Sequence, residues 1–246
     1  MAAIPLLIAV ISVIFVAGIV QGLAGFGSAL VAVPILALLL PIETVVPLMT
    51  LLGCVMASVN LLHLRQSVSL RPVLPLLAGY ALGTPLGLAF LIHAPRALVL
   101  GSLGLSISVY ALASLAGRQP RAPWLRKQRL ALGTLSGALG SAFSTNGPPI
   151  ILHVAAHTDW GPDRQKALLS LFFLLSNLIT LATFATAGLI TRDALTWFLW
   201  SLPTLLGGTF AGVFLYRRLG ERDYRRLTFL IILATGTILV VRSLWG

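Results

Sequence analysis

The chain contains three asparagines, and all of them stand in strongly apolar surroundings. Asn60 lies in MASVNLLHL, Asn177 in LLSNLITL, and Asn146 in SGALGSAFSTNGPP (Ser136 to Pro149). A fourth amide, Gln21, opens QGLAGFGSALVAVP (Gln21 to Pro34). An amide in hydrocarbon has no water to satisfy it. It must either bridge helices or line a path for a polar solute. Around Asn146 the second use is favoured by composition. Ser144 and Thr145 add hydroxyls, and Gly147-Pro148-Pro149 fits a helix start. A helix beginning there turns its positive dipole end toward the tip, where an anion is stabilised. In the other stretch Gly22, Gly25 and Gly27 permit a sharp backbone reversal. The candidate anion-binding set is therefore Gln21, Gly22, Gly25, Gly27, Asn60, Ser144, Thr145, Asn146, Gly147 and Asn177.

Other chemistries find no support in the residue pattern. His153 and His157 stand four apart on one helix face, but no third metal ligand follows in a zinc pattern. The six acids (Glu43, Asp159, Asp163, Asp193, Glu221, Asp223) fall in loops or at segment ends. No acid pair, Ser/His/Asp set or HExxH can be assembled at membrane depth, so the chain reads as a non-enzyme that needs no cofactor. Cys54 stands alone, which excludes an internal disulfide.

The elements that must position these residues are membrane helices. The 246 residues are 58% hydrophobic and 9% charged, with a mean hydropathy of +0.99. Apolar runs cover roughly 4–40, 44–64, 72–92, 97–117, 130–157, 167–190, 194–216 and 227–245. Most match the ~20 residues of one crossing. The runs are continuous rather than alternating, which argues against a β-barrel. A net charge of +11 in such a chain marks loops and meets anionic lipid rather than nucleic acid. Without a basic region at its start, the first apolar run reads as a membrane segment rather than a cleaved signal.

Two runs are too long. A straight helix over 4–40 would measure about 55 Å and one over 130–157 about 40 Å, against a hydrocarbon core of about 30 Å. Both carry glycine clusters and read as hairpins that dip in and return. Charge favours this. With two hairpins, 14 of the 17 basic residues fall on one side, leaving only Arg96, Arg192 and Arg242 on the other. If 130–157 crosses once, the bias vanishes. The polarised solution puts the loops near 65–71, 118–129, 158–166 and 217–226 in the cytoplasm and both termini outside.

The chain also reads as one unit written twice. Gly83-Thr84-Pro85-Leu86-Gly87 and Gly208-Thr209-Phe210-Ala211-Gly212 hold matching positions, each downstream of a membrane asparagine. Their small residues fit tight helix packing in lipid. The expected architecture is all-α: a first repeat over 1–117, a basic linker over 118–129 and a second repeat over 130–246. Each repeat is a broken hairpin plus three crossings. Three is odd, so the repeats enter from opposite faces, as in many secondary transporters, with the site near the broken tips.

The stretches GLAGFGSALVAVP (Gly22 to Pro34) and GALGSAFSTNGPPIIL (Gly137 to Leu152), with the basic central linker, resemble the TauE/SafE family of sulfite and organosulfonate exporters over essentially the whole chain. The resemblance implies a plasma-membrane permease for sulfite, sulfoacetate or other small organic anions. Its partners would be that anionic substrate and the bilayer, and a homo-oligomer is compatible with it. Alternating-access transport is the leading expectation and a passive anion channel the alternative. Two departures fall at the tips. Ser28 follows Gly27 where relatives often carry a glycine triplet, and Ser144-Thr145-Asn146 replaces extra glycines.

Overall fold

The computed structural model describes residues 3–24, 27–64, 70–116, 123–157, 159–216 and 221–245. Gly25 lies outside them. Among the described residues ten α helices follow one another: α1 (Ala3–Ala24), α2 (Ser28–Leu36), α3 (Ile42–Leu64), α4 (Leu74–His93), α5 (Arg96–Leu115), α6 (Arg129–Phe143), α7 (Gly147–Ala155), α8 (Pro162–Thr186), α9 (Arg192–Tyr216) and α10 (Glu221–Trp245). A 3-10 turn over Pro123–Arg126 precedes α6. Seven of the helices, α1, α3, α4, α5, α8, α9 and α10, are long and apolar enough to cross a membrane, as a multi-pass protein requires.

Both over-long apolar runs are broken. The first breaks after α1, where Gly27 takes the left-handed φ of +99°. The second breaks after α6, where Ser144 takes φ +55°. The arms differ in length. α1 has 22 residues, about 33 Å, whereas α6 has 15, about 22 Å.

The chain forms two compact units, each drawing helices from both halves of the sequence. One comprises Met1–Met49, Ala94–Arg118 and Thr191–Gly246; the other comprises Thr50–His93 and Gln119–Ile190. Only α3 is divided between them, at Met49 and Thr50, just after its internal Pro47.

In the first unit α1 packs against α9 through facing glycines. A methyl on Gly18 or Gly22 would run into the α9 backbone near Leu205 and Thr209. A methyl on Gly208 or Gly212 would meet the Phe15 or Ile19 carbonyl. The pairs ascend together, so α1 and α9 are parallel. α5 and α10 also pack closely, but Gly101 faces Ser243 while Gly104 faces Gly236, so these two are antiparallel. The short α2 packs among α1, α5 and α10, with Leu30, Val31, Ala32, Val33 and Leu36 buried.

In the second unit α4 packs on α6 by the same device. Gly79, Gly83 and Gly87 abut the backbones at Leu130, Thr134 and Ala138. Gly133 and Gly137 in turn abut the carbonyls of Leu76 and Tyr80. This pair is parallel too. Small faces bring backbones close enough for dispersion and Cα–H···O contacts, the available glue where lipid offers no hydrophobic drive. Val73, Leu76, Tyr80, Ile150, Val154, Leu168, Leu171 and Phe172 form the adjoining core. The Tyr80 ring meets Phe172 edge-on at 5.7 Å.

Candidate functional site

The second break gathers most of the polar side chains predicted to carry chemistry. α6 ends as Ser144 donates its N–H to the Gly140 carbonyl (2.8 Å) and Thr145 donates to Leu139 (3.4 Å). This closes the helix with a left-handed residue, usually glycine. Here it is serine, the one non-glycine residue with positive φ among the described residues. Its hydroxyl lies 3.1 Å from that of Thr50 on α3. Asn146 follows in helical conformation, and α7 starts at Gly147. Pro148 and Pro149 bring no N–H to its first turn, so side chains carry most of the donor capacity at this tip.

Those side chains are tied to α8 and α4. Asn146 Nδ2 donates to Ser176 Oγ (3.0 Å) and to Asn177 Oδ1 (3.2 Å). Its carbonyl accepts from Ser136 Oγ at 2.6 Å. Tyr80 Oη lies 2.7 Å from Thr180 Oγ1, and the Asn146 and Ser176 side chains also reach the phenol. Tyr80, Ser176 and Thr180 are fully enclosed, and Asn146 and Asn177 are each 8% exposed. Two glycines make room. Gly140 lies against the phenol oxygen, and a methyl at Gly53 would stand 2.7 Å from Asn177 Nδ2. The result is a buried knot of amides and hydroxyls in which each member can turn a donor toward a ligand.

Of the predicted residues, Ser144, Thr145, Asn146, Gly147 and Asn177 thus belong to one region. Asn60, half-buried on α3, lies two helical turns beyond Gly53 and joins none of these bonds. Gln21, Gly22 and Gly27 belong to the other unit. There Gln21 Oε1 accepts the N–H of Ser28 (3.3 Å), Gly27 makes the left-handed turn, and Gly22 is pressed against α9. Sequence reasoning overlooked Tyr80, Ser176, Thr180, Ser136 and Thr50. A signal existed for two of them, because Ser176 and Thr180 stand one helical turn apart beside Asn177.

His153 and His157 form a separate cluster at the far end of α7. His153 Nδ1 lies 3.0 Å from the Leu125 carbonyl, and His157 stacks on Trp160 with centroids 3.9 Å apart. Arg126 donates Nε–H to the Ala156 carbonyl (2.7 Å) and pairs with Asp159 (2.9 Å), placing a cation at the helix C-terminus. Burial pulls the His153 imidazole below its ordinary pKa. The Leu125 carbonyl opposes this, and His157 and Arg129 reinforce it. No group of three metal-ligating side chains is found among the described residues.

No curated protein and no solved structure matches the chain. A family model described as "Sulfite exporter TauE/SafE" matches residues 10–239, from within α1 to within α10, and the chain belongs to that family.

Proposed function

We propose that the protein is a secondary transporter that moves small sulfur-containing or organic anions, such as sulfite or sulfoacetate, by alternating access. Family membership supports a sulfur-anion permease rather than an enzyme. The observation that carries the site is the Asn146 amide, buried at a helix break and bonded to Ser176 and Asn177. Buried polar side chains at a broken membrane helix are costly and characteristically mark a solute path. An anion would take over the donors that Asn146, Ser176 and Tyr80 now spend on one another.

We further infer two inverted repeats, 1–117 and 130–246, in the plasma membrane with both termini outside. Helix direction supports this. α10 runs opposite to α5. With α8 and α9 each crossing once, that holds only if the α6–α7 segment returns to the side it left. α9 then runs with α5 and α3. Because α1 runs parallel to α9, it points the same way as α3, and α2 must bring the chain back. The two hairpins would thus open on opposite faces. Their depths differ, since α1 is a full membrane length and α6 is not.

Counterflow in proteoliposomes tests the reading. Vesicles loaded with sulfite, sulfoacetate or taurine should take up the labelled compound saturably, and Asn146→Ala should abolish this. Flux without counterflow would instead indicate a channel, and no flux of any sulfur anion would reject the substrate class.

A further inference from the structure

Among the described residues, the side chains that meet at the second break are neutral. Tyr80, Asn146, Ser176, Asn177 and Thr180 hold one another by hydrogen bonds, with no cation or carboxylate among them. The charged residues of the described helices stand near helix ends: Glu43 opens α3, Arg96 α5, Arg129 α6, Asp163 to Lys166 α8 and Arg192 to Asp193 α9, while Arg242 is near the end of α10. The remaining ones fall between helices or in the first two turns of α10.

An anion held by such a site is stabilised by dipoles, not by a counter-charge. The loaded protein carries the full charge of its substrate, and the empty protein carries none in its place. Resting on the reading above, we propose that transport is electrogenic. The anion crosses uncompensated, and an inside-negative membrane potential drives export without a coupling ion. A proton-coupled alternative needs a group that titrates near neutrality. Beside the knot the Cys54 thiol of α3 lies near the phenol; the nearest imidazole along α7 is His153, seven residues and about 10 Å from Asn146, with Nδ1 turned to the Leu125 carbonyl. It faces His157 and Arg129 rather than the amide knot.

The test uses the full chain in liposomes with labelled sulfite outside, valinomycin, and potassium tenfold higher outside than inside. Sulfite should accumulate inside about tenfold for each negative charge carried, hence about a hundredfold for the dianion. With equal potassium it should only equilibrate. The His153→Gln variant should accumulate to the same ratio. Counterflow in the same vesicles reports whether the carrier works at all. Working counterflow with accumulation that ignores the potassium gradient, follows an imposed pH gradient and disappears in His153→Gln overturns the proposal. Absence of both counterflow and accumulation rejects the transporter reading itself, and the proposal with it.

Discussion

The two helix breaks solve one problem with opposite means. At the first, backbone freedom does the work: Gly27 supplies the left-handed turn at no steric cost, and a single side chain, Gln21, satisfies the first N–H of α2. At the second, a serine is forced into the left-handed region, and prolines remove two donors from the next helix. Hydroxyls and amides from α3, α4, α6 and α8 gather around the tip. Strain of ~1–3 kcal/mol at one residue persists only where its surroundings over-determine it. The comparison teaches that the first break is built as a turn and the second as a place where polar groups are held ready.

That contrast can be broken at three points. The largest effect is expected from Asn146→Asp, which keeps the shape but puts a carboxylate among acceptors. Sulfur-anion counterflow should fall by a hundredfold or more at neutral pH, through the repulsion of like charges at low dielectric (on the order of several kcal/mol). Preserved flux would remove the second tip from the anion path. Next, Gly27→Ala meets only ordinary contacts with Val20 and Leu30, yet it forces a methyl into left-handed backbone. Stability should drop by about 1–2 kcal/mol, read as a lower midpoint of thermal unfolding in detergent. An unchanged midpoint would show that the first turn is not strained by a side chain. The smallest effect is expected at Ser144→Gly. Relief of left-handed strain and loss of the Thr50 bond oppose each other, so the same midpoint should move by less than about 1 kcal/mol equivalent. A large loss would mean that the Ser144 hydroxyl holds the tip together.

Much of the fold is legible in the sequence because bilayers impose simple arithmetic. The six runs between 44 and 245 read as crossings correspond to α3, α4, α5, α8, α9 and α10. The glycine cluster and the Ser-Thr-Asn triplet mark the two breaks. The paired motifs at Gly83 and Gly208 do serve tight packing, as small residues suggest. Their partners were not legible, since a small face says that something approaches closely but not which helix. The hydroxyls of the knot were hidden for a different reason. Thr183 and Thr237 bond their own helix carbonyls one turn back, whereas Thr180 reaches across to Tyr80. In sequence these threonines look alike, because a helix can always satisfy a hydroxyl internally.

The pairing of α1 with α9 and α4 with α6 sets a timetable for synthesis. Gly79 to Gly87 meet their partners as soon as α6 is made, soon after α4 leaves the ribosome. Gly18 and Gly22 must wait until Gly208 and Gly212 emerge near the end of the chain. Loop closure over so long a stretch is slower and entropically dearer. α1 enters the membrane long before α9 and is therefore locked in place late, and a chain cut short before α9 leaves its glycine face open to the wrong neighbour.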